Sequence, residues 1–512
     1  MSRSRPPVEI DMAELRRVLD TARREAIGEA DYLKLKTALD ILDERLRPSR
    51  TTEKTRTVVE QPKLGDNAAN PSEPSPNKGH GRRGASAYAD ARKVVIPAKL
   101  ACGDACPECT RGRVYAQRQP KTLVRVVGQA PVEATVYEME RLRCNACGQV
   151  FTAAQPEGIG SEKYDATAIA MIALLKYGTG VPFTRLERMQ AQLGIPLPAA
   201  TQWELMEQGA AVAKPALDQL IWQAAQGEVL HNDDTGMRIL QLAREPSDKR
   251  TGIFTSGIVS LWENHNIALF FTGRQHAGEN LADVLKHRAG EVRPPIQMCD
   301  ALSRNTPKLT SGVQTLLANC IAHGRRQFVD VAANFPQECG YVLESLGMVY
   351  GIDAVAREQG LDADERLLFH QRYSGPLMDQ LHGWLQAQLA EAKTEPNSGL
   401  GKAISYLLNH WQALTLFLRE RGAPLDNNLC ERALKKAILN RKNALFYKSP
   451  NGAMVGDLFM SLIHTCELNG VNPFQYLTEL QRHAADVKRA PADWMPWNYT
   501  DTLARVQTPA AA

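Results

Sequence analysis

The chain has no run of about 18 apolar residues, the length a membrane-spanning helix requires, so no transmembrane helix is predicted. Its first residues, MSRSRPPVEIDMAELRR, lack the apolar centre of a secretory signal, and a cytoplasmic protein is the resulting expectation. Charge of one sign is also lacking: 61 lysines and arginines against 57 aspartates and glutamates leave a net charge of only +4. Any nucleic-acid surface must therefore come from local clustering and not from bulk charge. At 512 residues the chain is too long for one core and predicts roughly three or four units. Its 44% hydrophobic and 23% charged residues are those of a soluble globular protein.

The ten cysteines divide into two groups. Cys299, Cys320, Cys339, Cys430 and Cys466 are scattered singly in apolar or helical contexts, where cysteine acts as a small buried hydrophobe. Cys106-Pro-Glu-Cys109 and Cys144-Asn-Ala-Cys147 are instead two C-x2-C pairs, the second followed by Gly148. Each pair can bend around a metal so that both thiolates face it, and four thiolates complete a tetrahedral zinc site. Between the pairs, Thr122–Val127 and Ala134–Met139 alternate like strands, which predicts a zinc-ribbon-like domain over 96–155 with one structural zinc. Cys102 falls outside the paired pattern.

Residues 1–46 read as a helical or coiled-coil segment, with Tyr32, Leu35, Leu39, Leu42 and Leu46 spaced at three and four. A polar linker over 47–95 has almost no large apolar residues and ends near a basic knot containing Arg82 and Arg83, able to lie along DNA phosphates. Residues 160–226 are helical, and Phe183–Leu193, a glycine turn and Ala199–Met206 give a helix-turn-helix-like outline. Helical packing without DNA produces the same outline. A tail over 483–512 closes the chain.

After Gly227 the period changes. Glu228–Thr235 starts as a strand, Ile253–Trp262 and Ile267–Thr272 are β-rich, and His276–His287 reads as a helix. Pro295–Asp300 is a short apolar strand ending in an acid, and Leu316–Ile321 is a fifth strand candidate. Far along the chain, Pro424–Phe446 places Glu431 on a helix among Arg432, Lys435, Lys436, Arg441 and Lys442, with Asp426 as a candidate cap. An acid on a first strand, one ending a later strand and one on a distant helix form a ribonuclease-H-like arrangement. Two-metal phosphoryl transfer needs such carboxylates to hold two divalent cations about 4 Å apart, and hard oxygen ligands select magnesium or manganese. Asp233 and Asp234 point to opposite strand faces, and alternation alone does not choose between them.

These motifs resemble the IS66 family of transposases, over most of the chain and in the family's order. The family's first-acid motif, often His-Ala-Asp-Glu-Thr, is similar to His231-Asn-Asp-Asp-Thr235, and its second-acid segment to Gln297-Met-Cys-Asp300. Its Ala-His-Ala-Arg-Arg-Lys-Phe resembles Ala322-His-Gly-Arg-Arg-Gln-Phe328. Asp426-Asn-Asn-Leu-Cys-Glu-Arg432 carries the Asp-Asn-Asn-x-x-Glu-Arg segment intact, and Asn440-Arg-Lys-Asn443 stands where the family has Gly-Arg-Lys-Asn. Asp234 departs from the common Glu, and Ala301-Leu-Ser follows Asp300 where Gly-Tyr or Ala-Tyr is frequent.

The resemblance implies a multidomain α+β protein whose catalytic domain, 227–328 and 422–482, is ribonuclease-H-like with a helical insertion over 329–421. It implies that Asp233, Asp300 and Glu431 bind two magnesium (or manganese) ions and cleave and transfer DNA strands at the ends of an insertion sequence. The partners implied are double-stranded DNA (terminal inverted repeats and target), further copies of the chain on that DNA, and accessory proteins of the same element. Arg325, Arg326, Arg432, Lys435, Arg441 and Lys442 would grip the DNA backbone, with His231, His323 and Asn428 in supporting places. Two rival readings are a catalytically inactive zinc-containing DNA-binding protein and a ribonuclease-H-like nuclease that cleaves without joining.

Overall fold

A computed structural model describes residues 93–507 apart from 97–98, 110, 116, 118–121, 127, 146, 148, 161, 243–249, 251 and 310–312. The predicted N-terminal helical segment, almost all of the linker, and Arg82 and Arg83 lie outside the described residues. The described residues form two units, Asp218–Ala437 being one, and those up to Leu217 with those from Ile438 onward the other. Both are mixtures of helix with a small amount of strand, so the class is α+β. No helix among the described residues is long and apolar enough to cross a membrane.

The first unit is built on a five-stranded sheet: β1 (Val229–Gly236), β2 (Phe254–Trp262), β3 (His265–Gly273), β4 (Ile296–Cys299) and β5 (Leu316–Asn319), in spatial order β3-β2-β1-β4-β5. β1, β2 and β3 pair antiparallel, whereas β1, β4 and β5 run parallel. β2 and β3 are joined by Glu263-Asn264, both in the left-handed region with φ 46° and 66°. That two-residue turn matches the right-handed twist of its flanking strands. The middles of β1, β2 and β4 are buried, as strands covered on both faces must be.

Helices α1 (Ala277–Leu285), α2 (Ile321–Val331), α3 (Pro336–Glu358), α4 (Ala363–Tyr373), α5 (Gly375–Ala390), α6 (Gly399–Asn409) and α7 (Asn428–Ala444) follow in chain order. Val229, Ile296, Met298 and Ala318 of the strands share one apolar cluster with Phe328, Leu346, Leu381, Leu385, Ile404 and Leu407 of the helices. Each fully buried Leu or Ile contributes about 1.5–3 kcal/mol, so the helices after α2 are anchored to the sheet by packing. α7 begins where the Asp426 carboxylate accepts the Asn428 amide at 3.1 Å. Its buried residues Cys430, Ala433, Leu434 and Ala437 repeat at helical spacing and are mostly small, letting the helix approach β2 closely. A Cβ added at Gly257 would stand 2.9 Å from Leu434 Cδ2 and 3.5 Å from Cys430 Sγ, so a side chain there would force Leu434 to shift.

The second unit contains a small hairpin, Arg141–Arg143 against Val150–Thr152, and helices Ala166–Ala173, Phe183–Gln192, Ala199–Ala225 and Pro450–Leu468 among others. The described parts of Thr122–Val127 and Ala134–Met139 are not strands, although their alternation predicts them. Most of their side chains are exposed, so nothing rewards an alternating face there. Helices Phe183–Gln192 and Ala199–Ala225 are linked through Gly194 at φ +78°, as the outline predicts. In a π-helical turn, Leu174–Gly178, the buried Lys176 donates to Asn440 Oδ1 at 3.1 Å, and burial pushes its ammonium down to about 8. The residue that stands for the family's glycine at 440 thus has a partner of its own.

Candidate active site

The parallel strands set up the site. β1 pairs β4 from Val229↔Ile296 to His231↔Met298, and that register continued by two residues sets Asp233 beside Asp300. β4 pairs β5 up to Cys299↔Asn319, so one further step sets Asp300 beside Cys320. Parallel sheets open their sites at the carboxyl ends of their strands; Asp300 and Cys320 stand just past the ends of β4 and β5, and Asp233 lies in β1 just past its parallel pairing with β4.

The two aspartates meet through a third residue. The buried Asn305 donates its Nδ2 to Asp300 Oδ1 at 2.5 Å and to Asp233 Oδ1 at 3.2 Å. Asp233 Oδ1 also accepts the Asp234 amide at 2.8 Å. Burial pushes the Asp233 carboxyl up to about 6, with repulsion from Asp300 and Asp234 adding to it and these hydrogen bonds opposing. Asp234 is engaged elsewhere: its Oδ2 lies 2.8 Å from His276 Nδ1 and its Oδ1 3.4 Å from Arg304 Nη2. Adjacent strand positions face opposite ways, so the neighbouring acids have separate partners.

Asn427 ties the start of α7 to β1. Its Nδ2 donates to the Asn232 carbonyl at 3.1 Å, which turns its Oδ1 toward His231 Nδ1, also at 3.1 Å. Burial pushes His231 down to about 4, so its ring is neutral near neutral pH, and the proton it holds sits on Nδ1. Cys320 Sγ accepts the Asn427 amide at 3.3 Å, and the Ile321 amide donates to the Leu425 carbonyl at 3.0 Å. Residues 425–427 are thereby pinned to the middle of β1 and to the residues that follow β5.

One turn into α7, Glu431 is one-third exposed and pairs with His323, Oε1 to Nδ1 at 3.6 Å, and not with either aspartate. The charges of Asp233 and Glu431 both act on the buried Cys430 thiol, whose Sγ donates to the Gly257 carbonyl at 3.3 Å. Gly257 is the register partner of Asp233, so α7 approaches the sheet at the level of that acid. Beside Glu431 opens a cleft of about 270 Å³ lined by Ala322, His323, Arg325, Arg326, Tyr350 and Asn428. Along α7, Arg432, Lys435 and Lys442 are exposed and Arg441 is half-buried.

The C-x2-C pairs sit on comparable reverse turns in the second unit. The Cys106 amide donates to the Gly112 carbonyl and the Cys144 amide to the Gln149 carbonyl, both at 2.8 Å. Hydrogen bonds from the Gly112 and Arg111 amides and from Cys106 hold the Cys109 thiol below its usual range, favouring the thiolate a metal takes. Cys147 and Cys102 are exposed.

Two residues at this site carried no sequence signal. Asn305 lies in Ser303–Asn305, a polar stretch that reads as an ordinary turn. Tyr406 of α6 is pushed up to about 12 by burial, with the Asp300 charge adding to it, and accepts the Ala301 amide. Only the burial of Asn305 and the proximity of Tyr406 mark them, and neither can be read from spacing.

Residues 162–455 match the family model described as Transposase IS66 family. The chain is 26% identical over 433 residues to the uncharacterized protein y4hP of Sinorhizobium fredii (strain NBRC 101917 / NGR234), covering 80% of this chain and 75% of that protein. It is likewise 26% identical over 423 residues to the uncharacterized protein y4jD of the same organism, covering 79% of each.

Proposed function

The chain belongs to the IS66 transposase family, and from that premise we propose that it cleaves DNA strands at the ends of an insertion sequence and joins them to target DNA. In this reading the five-stranded sheet is the core of a ribonuclease-H-like domain, and Asp233, Asp300 and Glu431 hold two magnesium or manganese ions. One observation carries it: Asp233, two residues past the last parallel pair of β1 with β4, and Asp300, just past the end of β4, share the amide of Asn305. The strand order, with three antiparallel strands and two parallel ones, supports the same reading.

The residues suit such ions. The pair offers hard oxygen ligands, and a divalent cation would offset the burial and repulsion that hold Asp233 partly protonated. When bound, the ions supply Lewis-acid activation of the attacking oxygen and neutralise charge at the leaving one. The chain's own residues do the rest. Asn305 fixes the spacing of the two carboxylates, as hydrogen-bonded outer partners of metal ligands do. Asn427 and His231 hold the start of α7, and with it Glu431, against β1. Arg325, Arg326 and Asn428 offer phosphate contacts in the cleft beside Glu431, and Arg432, Lys435, Arg441 and Lys442 extend them along α7. In the second unit, Cys106, Cys109, Cys144 and Cys147 take one structural zinc, and helix Ala199–Ala225 belongs to a DNA-binding region. Double-stranded DNA is the partner, bound by more than one copy of the chain together with accessory proteins of the same element.

The test is strand cleavage and joining on terminal-repeat DNA by Asp233→Asn and Glu431→Gln. DNA binding should survive while both reactions disappear. Full cleavage by both variants would sink the assignment.

A further inference from the structure

We propose that Cys320, His323 and Glu431 form a binding site for a thiophilic divalent cation, zinc foremost, and that filling it withdraws Glu431 from strand cleavage. One ligand atom from each residue lies within 4.8 Å of the other two, with His323 Nδ1 and Glu431 Oε1 3.6 Å apart. The group is prearranged by its elements. Cys320 leads into α2, its amide bonded to the Cys299 carbonyl at 3.0 Å, and His323 follows one turn later on the same face. Glu431 comes from α7, whose start is pinned to Cys320 by the Asn427 amide.

A second feature points to a ligand. His323 Nδ1 is buried without a hydrogen-bond partner, although it faces the other two groups. A polar atom left so inside a folded protein calls for an explanation, and coordination is one. The donor set of sulfur, imidazole nitrogen and carboxylate oxygen selects zinc-like cations, whereas the oxygen-only pair Asp233 and Asp300 suits magnesium. Bonds of about 2.0–2.3 Å to a shared centre are within reach after small side-chain rotations. Three protein ligands leave a fourth position, which the adjoining cleft can fill with solvent. Binding would displace the Cys320 thiol proton to solvent.

The withdrawal of Glu431 rests on the proposed function, whereas the site itself does not. Purified full-length protein, its four-cysteine site loaded, is equilibrated with zinc, dialysed and counted for zinc per chain by atomic emission. Wild type should retain one equivalent more than Cys320→Ser and His323→Ala, and Cys106→Ser should keep that same extra equivalent. Equal zinc in wild type and His323→Ala overturns the site, and the partly exposed His323 keeps the test valid should Cys320→Ser fail to fold. Added zinc should lower magnesium-dependent cleavage several-fold in wild type, and far less in Cys320→Ser relative to that variant's own zinc-free rate. An extra equivalent that leaves wild-type cleavage unchanged overturns the withdrawal. Wild-type protein that never cleaves in magnesium alone defeats the proposed function and leaves the zinc count to decide the site.

Discussion

Replacing Asp233 with asparagine should stabilise the metal-free protein while removing its activity. The carboxyl is raised from 3.8 to about 6, by burial first and by Asp300 and Asp234 next. The folded protein therefore keeps a proton that the unfolded chain has already lost. That contribution to stability is complete below about pH 3.8 and disappears as pH rises through about 6. The gap amounts to about 3 kcal/mol, taking about 1.4 kcal/mol per pH unit. Asparagine at 233 stays neutral and keeps an oxygen for the Asp234 and Asn305 donors, so the hydrogen bonds survive the change. Relative to wild type, Asp233→Asn should gain up to about 3 kcal/mol between pH 4 and pH 7, or roughly 6–12 °C in melting temperature. The assay is thermal melting across that range in a chelating buffer, repeated with magnesium. Magnesium should raise the wild-type melting temperature near neutral pH and leave the variant unmoved. A difference between the two proteins that stays constant with pH would refute the burial of Asp233, and one that shrinks as pH rises would reverse the sign of the argument.

Asn305→Ala removes the amide shared by both aspartates, and should weaken the magnesium dependence of cleavage about 10–100-fold; an unchanged magnesium titration would contradict its bridging place. Arg432→Ala and Lys435→Ala, both exposed on α7, should each lower the slope of log affinity against log salt by about one, without altering preference among DNA sequences. His231 is lowered from 6.5 to about 4 by burial, so its share of stability is present above pH 6.5 and is lost as pH falls through 4. His231→Gln should remove about 3 kcal/mol of that acid sensitivity, read as the change in urea midpoint between pH 7 and pH 4.5. Identical acid profiles would show that the histidine is solvated.

What could be read in the sequence is what depends on local periodicity. Ile253–Trp262 and Leu316–Ile321 alternate or run apolar because their strands are buried, and β2 and β5 form within a residue or two of those limits. Where no partner covers a segment, as in Ala134–Met139, the same alternation produces no strand. The arrangement of acids depends on something else. Asp233 and Asp300 are separated by two strands and a helix, and they meet only because β4 passes β2 and β3 to pair with β1. No window of sequence contains that step, and so none contains Asn305, whose importance comes from the gap it fills. Asn427 shows the same dependence. In the sequence it is one of two asparagines before a helix, with no evident task. In the fold its side-chain amide joins Asn232 and His231 on β1 while its backbone joins Cys320, linking the glutamate's helix to β1 and to the residue that follows β5 through one asparagine. A motif of the form Asp-Asn-Asn-x-x-Glu then has a physical content: the aspartate starts the helix, the first asparagine fixes it to the sheet, and the spacing to Glu431 carries the acid one turn beyond that anchor. Moving the glutamate by a single residue would rotate it by about 100° around the helix axis, away from His323 and from the cleft. The spacing is therefore set by helix geometry acting on an anchored first turn.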